Sequence, residues 1–383
     1  MDVTQTQILH PGPRLLIGHG RTPELAGILP HGPVLLVTDQ AVSAMGLLGP
    51  LLSELERERE VVLFDSVEAD PSRATLMAAV EAGRVGGVTS VIGFGGGSPM
   101  DVAKLAAYLL GSGDELDSIW GVGLARGTRL PLALVPTTAG TGSEATPVAI
   151  ITVEGAEKRG VNAAPLIPDV AVLDASLTLG KPRALTAATG IDAMVHAIEA
   201  YTSAKAKNPV SDMQAREALR LLSANLIIAC EEPGNVAARE AMLIGAHLAG
   251  LAFANAPVAG VHALAYPLGG IHHLPHGLSN ALMLRPVLSF NAEAARQPYA
   301  ELAAILDPSA AGLGTQAAAA RLVERLEELV LASGLKPRLR DHGIVREEAP
   351  MLAREAMKQT RLLVNNPVPI SEADAQRLYE AAW

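Results

Sequence analysis

Cysteine and aromatic residues are nearly missing from this 383-residue chain: it holds one Cys, and Phe, Trp and Tyr together make up 3 %. A single thiol, Cys230, excludes an intrachain disulfide framework and any zinc cluster built from several cysteines, and it reads as a small core residue. With rings so scarce, the interior has to be packed with Ala, Leu, Val and Ile. No run of Lys or Arg with interleaved aromatics occurs, and the formal net charge is −10, so nucleic acid is not an expected partner. The opening "MDVTQTQILHPGPRLLIGHG" has neither a basic n-region nor an apolar h-region. No stretch reads as long and apolar enough to cross a membrane, so the expectation is a cytoplasmic protein with no membrane partner.

What is present is apolar bulk, 49 % hydrophobic against 18 % charged residues. A large, acidic, Gly-rich chain points to small-molecule chemistry, and its length exceeds one ordinary core, which implies two domains. The first half alternates short apolar runs ("GPVLLVTD", "VVLFD", "GVTSVIGFGGGS", "LPLALVPTT") with amphipathic stretches such as "ATLMAAVEAGRVG". Strand–helix alternation of this kind predicts a parallel sheet covered on both faces. After Lys181-Pro182 strand signals thin out, and "MQAREALRLLSANLIIACEE", "AREAMLIGAHLAGLAFANA", "AAAARLVERLEELVLASG" and "EADAQRLYEAA" all read as helices. The expected organisation is an α/β domain over residues 1–182 and an all-helical domain over 183–383.

Two stretches of the first half suggest phosphate chemistry. In "GFGGGSPMDVAK", Gly95, Gly96 and Gly97 allow close backbone approach, Ser98 is the expected N-cap, and Pro99 suits the first helical position. The N–H groups and dipole of the following helix would favour an anion. The spacing is neither G-x-G-x-x-G nor a Walker motif, and it fits a plain strand-to-helix turn as well. "VPTTAGTGSE" follows a second strand and offers hydroxyls at Thr137, Thr138, Thr141 and Ser143. Asp39 ends an earlier strand, where a carboxylate can accept from ribose hydroxyls and repel a 2′-phosphate, favouring NAD over NADP.

In the second half, "GIDAMVHAIEAY" places Asp192 and His196 four residues apart, so they project side by side from a largely apolar helix. Four of the ten histidines then crowd into fifteen residues: His262, His272, His273 and His276. Imidazoles with one carboxylate suit Fe²⁺ or Zn²⁺, whereas Mg²⁺ and Ca²⁺ want more oxygen ligands. Spacing alone leaves open which of the four histidines take part.

The stretches "GGGSPMDVAK", "PTTAGTGSE", "TAATGIDAMVHAIEAY" and "VHALAYPLGG…LPHGLSNALML", in this order, resemble the iron-dependent (group III) alcohol dehydrogenases over nearly the whole chain, with lactaldehyde reductases and 1,3-propanediol dehydrogenases as the nearest kind. The resemblance implies an N-terminal Rossmann-like, NAD-binding domain and a C-terminal helical domain of the dehydroquinate synthase-like type, with the metal in the cleft. It implies Asp192, His196, His262 and His276 as metal ligands, and leaves His272 and His273 as lining or surface residues. It also implies a pyrophosphate loop at Gly95–Ser98 with Asp101 nearby, cofactor contacts at Thr137, Thr138 and Thr141, and Lys158 near the nicotinamide ribose. Asp39 matches the position that favours NAD, and Asp70, standing where many members have Asn, is implied as a further cofactor contact.

One departure is Tyr266, where many members carry a second His of an H-x-x-x-H pair thought to relay the alcohol proton. A phenol is a poorer relay at neutral pH, so water, a ribose hydroxyl or His272 are the other candidates. The implied function is metal-dependent, NAD-linked oxidation of small alcohols or diols and reduction of their aldehydes. The implied metal is Fe²⁺, with Zn²⁺ or Ni²⁺ as alternatives, and the implied assembly is a homodimer or larger. Transhydrogenase-like, maleylacetate reductase-like and dehydroquinate synthase-like lyase activities are the competing readings inside this superfamily. A non-catalytic nucleotide-binding protein is the reading outside it.

Overall fold

The computed structural model describes residues 9–153 and 157–383, which form two compact units: His10–Leu179, and Gly180–Trp383 together with Leu9. Residues 1–8 of the opening stretch lie outside the described residues.

In the first unit the chain forms β1 (Arg14–Ile17), β2 (Val34–Val37), α1 (Gln40–Ala44), α2 (Gly49–Leu55), β3 (Val61–Phe64), α3 (Arg73–Val85), β4 (Ser90–Gly95) and α4 (Gly97–Ser112). It continues through β5 (Gly121–Val122), β6 (Leu132–Pro136), β7 (Val148–Thr152), β8 (Lys158–Asn162) and β9 (Val170–Leu173). Six strands make one sheet in the order β1-β9-β6-β4-β2-β3, and every pairing in it is parallel. The four inner strands read VLLV, SVIGFG, LALVP and VAVL and are buried throughout, as a sheet covered on both faces requires. The edges relax this demand: Leu15, Ile17 and Leu63 are exposed. One apolar cluster lies on the α3/α4 face and another on the α1/α2 face.

The connections explain where a ligand would sit. From β2 the chain passes to β3 on one side, and from β4 it passes to β6 on the other. The carboxyl ends of β2 and β4 therefore flank the point where strand order reverses, which is where open parallel sheets bind ligands. Asp39 follows β2 and the glycine run follows β4. A small three-stranded sheet, β5-β8-β7, was not legible beforehand. Its β7–β8 pair is antiparallel, and the sequence of β8, KRGVN, carries little strand signal.

The second unit is helical: α5 (Arg183–Tyr201), α6 (Pro209–Glu231), α7 (Val236–Asn255), α8 (Gly260–His272), α9 (His276–Asn291), α10 (Arg296–Leu306), α11 (Thr315–Ser333), α12 (Ala349–Ala356), α13 (Thr360–Leu363) and α14 (Glu372–Ala382). Nearly every side chain of α5 from Thr186 to Tyr201 is buried. Gly190 makes this possible, because a Cβ there would stand 2.5 Å from Leu226 of α6 and 2.7 Å from Met242 of α7. The reading that no stretch could span a membrane needs correction. Val236–Asn255 is long and apolar enough by length and composition, yet most of it is buried inside its own unit, as in the core helix of a bundle.

Within the sheet, β4 and α4 press together at Gly93, where an added Cβ would lie 2.7 Å from both Ala103 and Leu134. Gly93→Val is expected to cost about 1–3 kcal/mol through overpacking, read as a lower urea midpoint. An unchanged midpoint would contradict this contact.

Candidate active site

Helix α5 supplies a buried carboxylate and a buried imidazole one turn apart, Asp192 and His196. Helix α8 brings His262, also buried, and α9 begins with His276, whose side chain is 43 % exposed. The close approach of α9 depends on Gly277: a Cβ there would stand 2.2 Å from the Ala188 carbonyl oxygen and 3.3 Å from the Asp192 Cβ. Asp192 Oδ1 lies 3.6 Å from His276 Nε2, 3.7 Å from His262 Nε2 and 3.9 Å from His196 Nε2. One donor atom from each residue lies within 4.8 Å of the other three.

These separations are too long for hydrogen bonds. They come close to the edges of a coordination shell, since donors bound at about 2.0–2.2 Å in a tetrahedron stand about 3.3–3.6 Å apart. His262 Nε2 is buried and makes no hydrogen bond among the described residues. Three nitrogens with one carboxylate oxygen suit a borderline divalent ion, so the residues fit the metal that their spacing suggests. Burial opposes the charge on Asp192, but the His196, His276 and His262 rings and the Asn280 amide outweigh it and hold the carboxyl below its ordinary value.

Two residues missed in the sequence organise this cluster. Glu199, on α5 three residues after His196, accepts hydrogen bonds from the backbone N–H of Ala259 (2.8 Å) and Val261 (2.6 Å) at the start of α8. Its Oε2 also lies 2.7 Å from His262 Nδ1. An ionised carboxylate can only accept, so the proton sits on Nδ1 and the Nε2 lone pair points into the cluster. Asn280 Nδ2 donates to Asp192 Oδ1 at 2.6 Å. Glu199 stood inside the very stretch that carries Asp192 and His196; only its i+3 spacing from His196 signalled it. Around the cluster, Phe253 packs on His196 with ring centres 4.4 Å apart, and Tyr266, one turn beyond His262, lies 6.0 Å from His276. His272 sits 2.8 Å from the Glu348 carboxylate, and His273 closes α8 in the left-handed conformation.

In the first unit, the glycine turn differs from expectation in one detail. Helix α4 starts at Gly97 with Gly96 as N-cap, so Ser98 is already inside the helix and does not cap it. No side chain caps this end, which leaves its first N–H groups open to an anion. Gly95 has φ 153°, and a Cβ there would meet Pro99 at 2.7 Å and Asp39 Oδ2 at 3.3 Å. Asp39 thus borders the glycine turn, while its Oδ1 accepts from Val42 N and caps α1. Thr141 packs on Gly97, and Thr138 lies beside Gly96. Thr137 is buried.

Asp101, near the start of α4, is engaged within this unit. Its oxygens accept from Ser143 Oγ (2.7 Å) and Ile150 N (3.0 Å). Lys104, one turn on, is fully buried and donates to Ser143 Oγ (2.9 Å), Thr146 Oγ1 (3.2 Å) and the Val148 carbonyl (2.7 Å). Burial pushes its ammonium down to about 8 against the pull of Asp101 and Glu144. Lys158 pairs with Asp70 at 2.6 Å, and Asp70 holds a left-handed backbone at φ 54°.

Comparison with known proteins agrees with this arrangement. Residues 12–175 match the model of the iron-containing alcohol dehydrogenases, and residues 186–383 match that of the C-terminal part of the Fe-containing alcohol dehydrogenase family. A long-chain-alcohol dehydrogenase of Geobacillus thermodenitrificans is 40 % identical over 354 residues, 91 % of this chain and 89 % of that one. A crystal structure of 1,3-propanediol oxidoreductase superposes with a TM-score of 0.95 at 32 % identity, covering 99 % of this chain and 100 % of the other. The sulfoacetaldehyde reductase of Bifidobacterium kashiwanohense, solved in complex with NAD⁺, superposes with a TM-score of 0.87 at 28 % identity, covering 99 % of each chain. Fold and likeness together define an oxidoreductase acting on alcohols. The chain belongs to the iron-containing alcohol dehydrogenase family.

The Glu199 contact generates a test. Glu199→Gln leaves one acceptor oxygen where three N–H groups now converge and removes the negative charge beside His262, and is expected to weaken divalent-metal affinity by about 10–100-fold, measured by competition with a chromogenic chelator. Unchanged affinity would remove the tautomer argument.

Proposed function

We propose that this enzyme transfers hydride between small primary alcohols or diols and NAD, reducing the corresponding aldehydes in the reverse direction. The observation that carries this reading is the convergence of three imidazole nitrogens on one buried carboxylate oxygen at 3.6–3.9 Å. Asp192, His196, His262 and His276 would hold one divalent ion, Fe²⁺ first, with Zn²⁺ or Ni²⁺ as alternatives. When bound, such an ion supplies Lewis-acid polarisation of the substrate oxygen.

The chain's own residues do the rest. Glu199 fixes the His262 tautomer, and Asn280 orients Asp192. Tyr266 offers a phenol near the exposed His276 side, where it can contact substrate and hold the hydroxyl proton. His272 is engaged with Glu348, which leaves it less suited to that relay. The open N–H groups behind Gly95, Gly96 and Gly97 would receive the pyrophosphate, with Ser98 in the first turn and Thr137, Thr138 and Thr141 beside it. Asp39 would accept from the ribose hydroxyls and repel a 2′-phosphate. Lys158, with Asp70 as its partner, would face the nicotinamide ribose. Asp101, near the pyrophosphate loop, would support the turn through Ser143. Assembly as a homodimer or larger and a cytoplasmic location complete the reading.

The deciding experiment strips the anaerobically purified protein with a chelator, reloads it with Fe²⁺ or Zn²⁺, and follows NADH formation from ethanol, butanol, 1,2-propanediol and 1,3-propanediol. Metal-restored, stoichiometric NADH is expected. NADH-linked product only when a second carbonyl compound is present would replace the dehydrogenase by a transhydrogenase. Asp39→Asn keeps the α1 cap and removes the charge, so kcat/KM for NADP relative to NAD should rise by about tenfold. An unaltered cofactor ratio would take the discriminating role away from Asp39.

A further inference from the structure

We propose that Lys104, with Ser143 and Asp101, is a positioning device that sets cofactor affinity by holding the 137–146 segment against the glycine turn. The inference rests on the reading of that turn as the dinucleotide site.

The geometry runs as a continuous chain. Lys104 and Asp101 are one turn apart on α4, the helix that opens at the glycine turn. All three ammonium protons are used, on Ser143 Oγ, Thr146 Oγ1 and the Val148 carbonyl. The Ser143 hydroxyl accepts from Lys104 and donates to Asp101 Oδ1 at 2.7 Å. Ser143 N in turn donates to Thr141 Oγ1 at 3.3 Å. Thr141 packs on the helix-starting glycine, its Cγ2 3.2 Å from where a Gly97 Cβ would be. Every link lies within the first unit.

A fully buried ammonium is expensive to maintain, and apolar side chains of similar length fill such space at lower cost. The expense is explained if the ammonium specifies the conformation of a loop that packing alone would leave free. Ser143 and Thr146 lie on one segment that enters β7 at Val148, with a glycine in the left-handed conformation at Gly142. Three hydrogen bonds from a single atom fix such a segment in three places at once. Lys104 touches no part of the anion position itself; it acts through Ser143 and Thr141.

The test uses full-length, metal-loaded enzyme and three chains: wild type, Ser143→Ala and Lys104→Met. Folding is checked by thermal melting, metal content by elemental analysis, and NADH affinity by fluorescence titration. The expected result is a Kd for NADH raised at least threefold in Ser143→Ala and about tenfold in Lys104→Met. KM for NAD should rise in step, while kcat at saturating NAD stays within a factor of about two. If Lys104→Met does not fold, Ser143→Ala decides alone, since it removes one hydroxyl and the middle of the chain. A folded, metal-loaded variant with wild-type Kd overturns the inference and leaves the proposed function standing. Failure of the wild type to bind NADH overturns both.

Discussion

A carboxylate buried in the middle of an apolar helix has to be matched by positive or donating groups, and the helical unit is arranged around the need to match Asp192. Three rings and one amide surround it. The rings come from three helices, so the requirement of one oxygen fixes how α5, α8 and α9 approach one another. Small residues make those approaches possible: Gly190 seats α5 against α6 and α7, and Gly277 seats α9 against α5. Glu199 extends the logic by a second buried carboxylate, which closes the start of α8 and orients the ring two residues into it.

The sheet unit solves a different problem. Parallel strands deliver their carboxyl ends to one edge, and the reversal of strand order opens that edge between β2 and β4. Glycines then strip the turn to bare backbone, and Asp39 beside it is tied into place by the helix it caps. Behind this surface lies a buried polar network, the costliest kind of interior and the kind that specifies one conformation.

Much of this was legible in the sequence for physical reasons. Continuous apolar runs such as VLLV and LALVP announce strands buried on both faces, and the i, i+4 spacing of Asp192 and His196 announces a shared helix face. What escaped was set by tertiary contact. The choice of His262 and His276 over His272 and His273 rested on resemblance, because spacing cannot say which rings reach Asp192. Glu199 and Asn280 look like ordinary helix residues until α8 and α9 arrive beside them. Ser98 looked like a cap, yet Gly96 takes that position, since the helix begins two residues earlier than the serine suggests. Nothing in the sequence around Lys104 announces its burial, and the fold seals it inside. Hairpin β7–β8 was invisible because KRGVN pairs through its backbone, with few apolar side chains to signal it.

The cluster's uneven burial has a further consequence. Asp192, His196 and His262 are sealed, and His276 alone faces outward. The outward ring belongs to the first residue of its helix, ahead of the α-helical hydrogen-bond ladder that holds the rest of α9. Solvent thus meets the least buried of the four donors first, and the other three are screened by the helices that carry them.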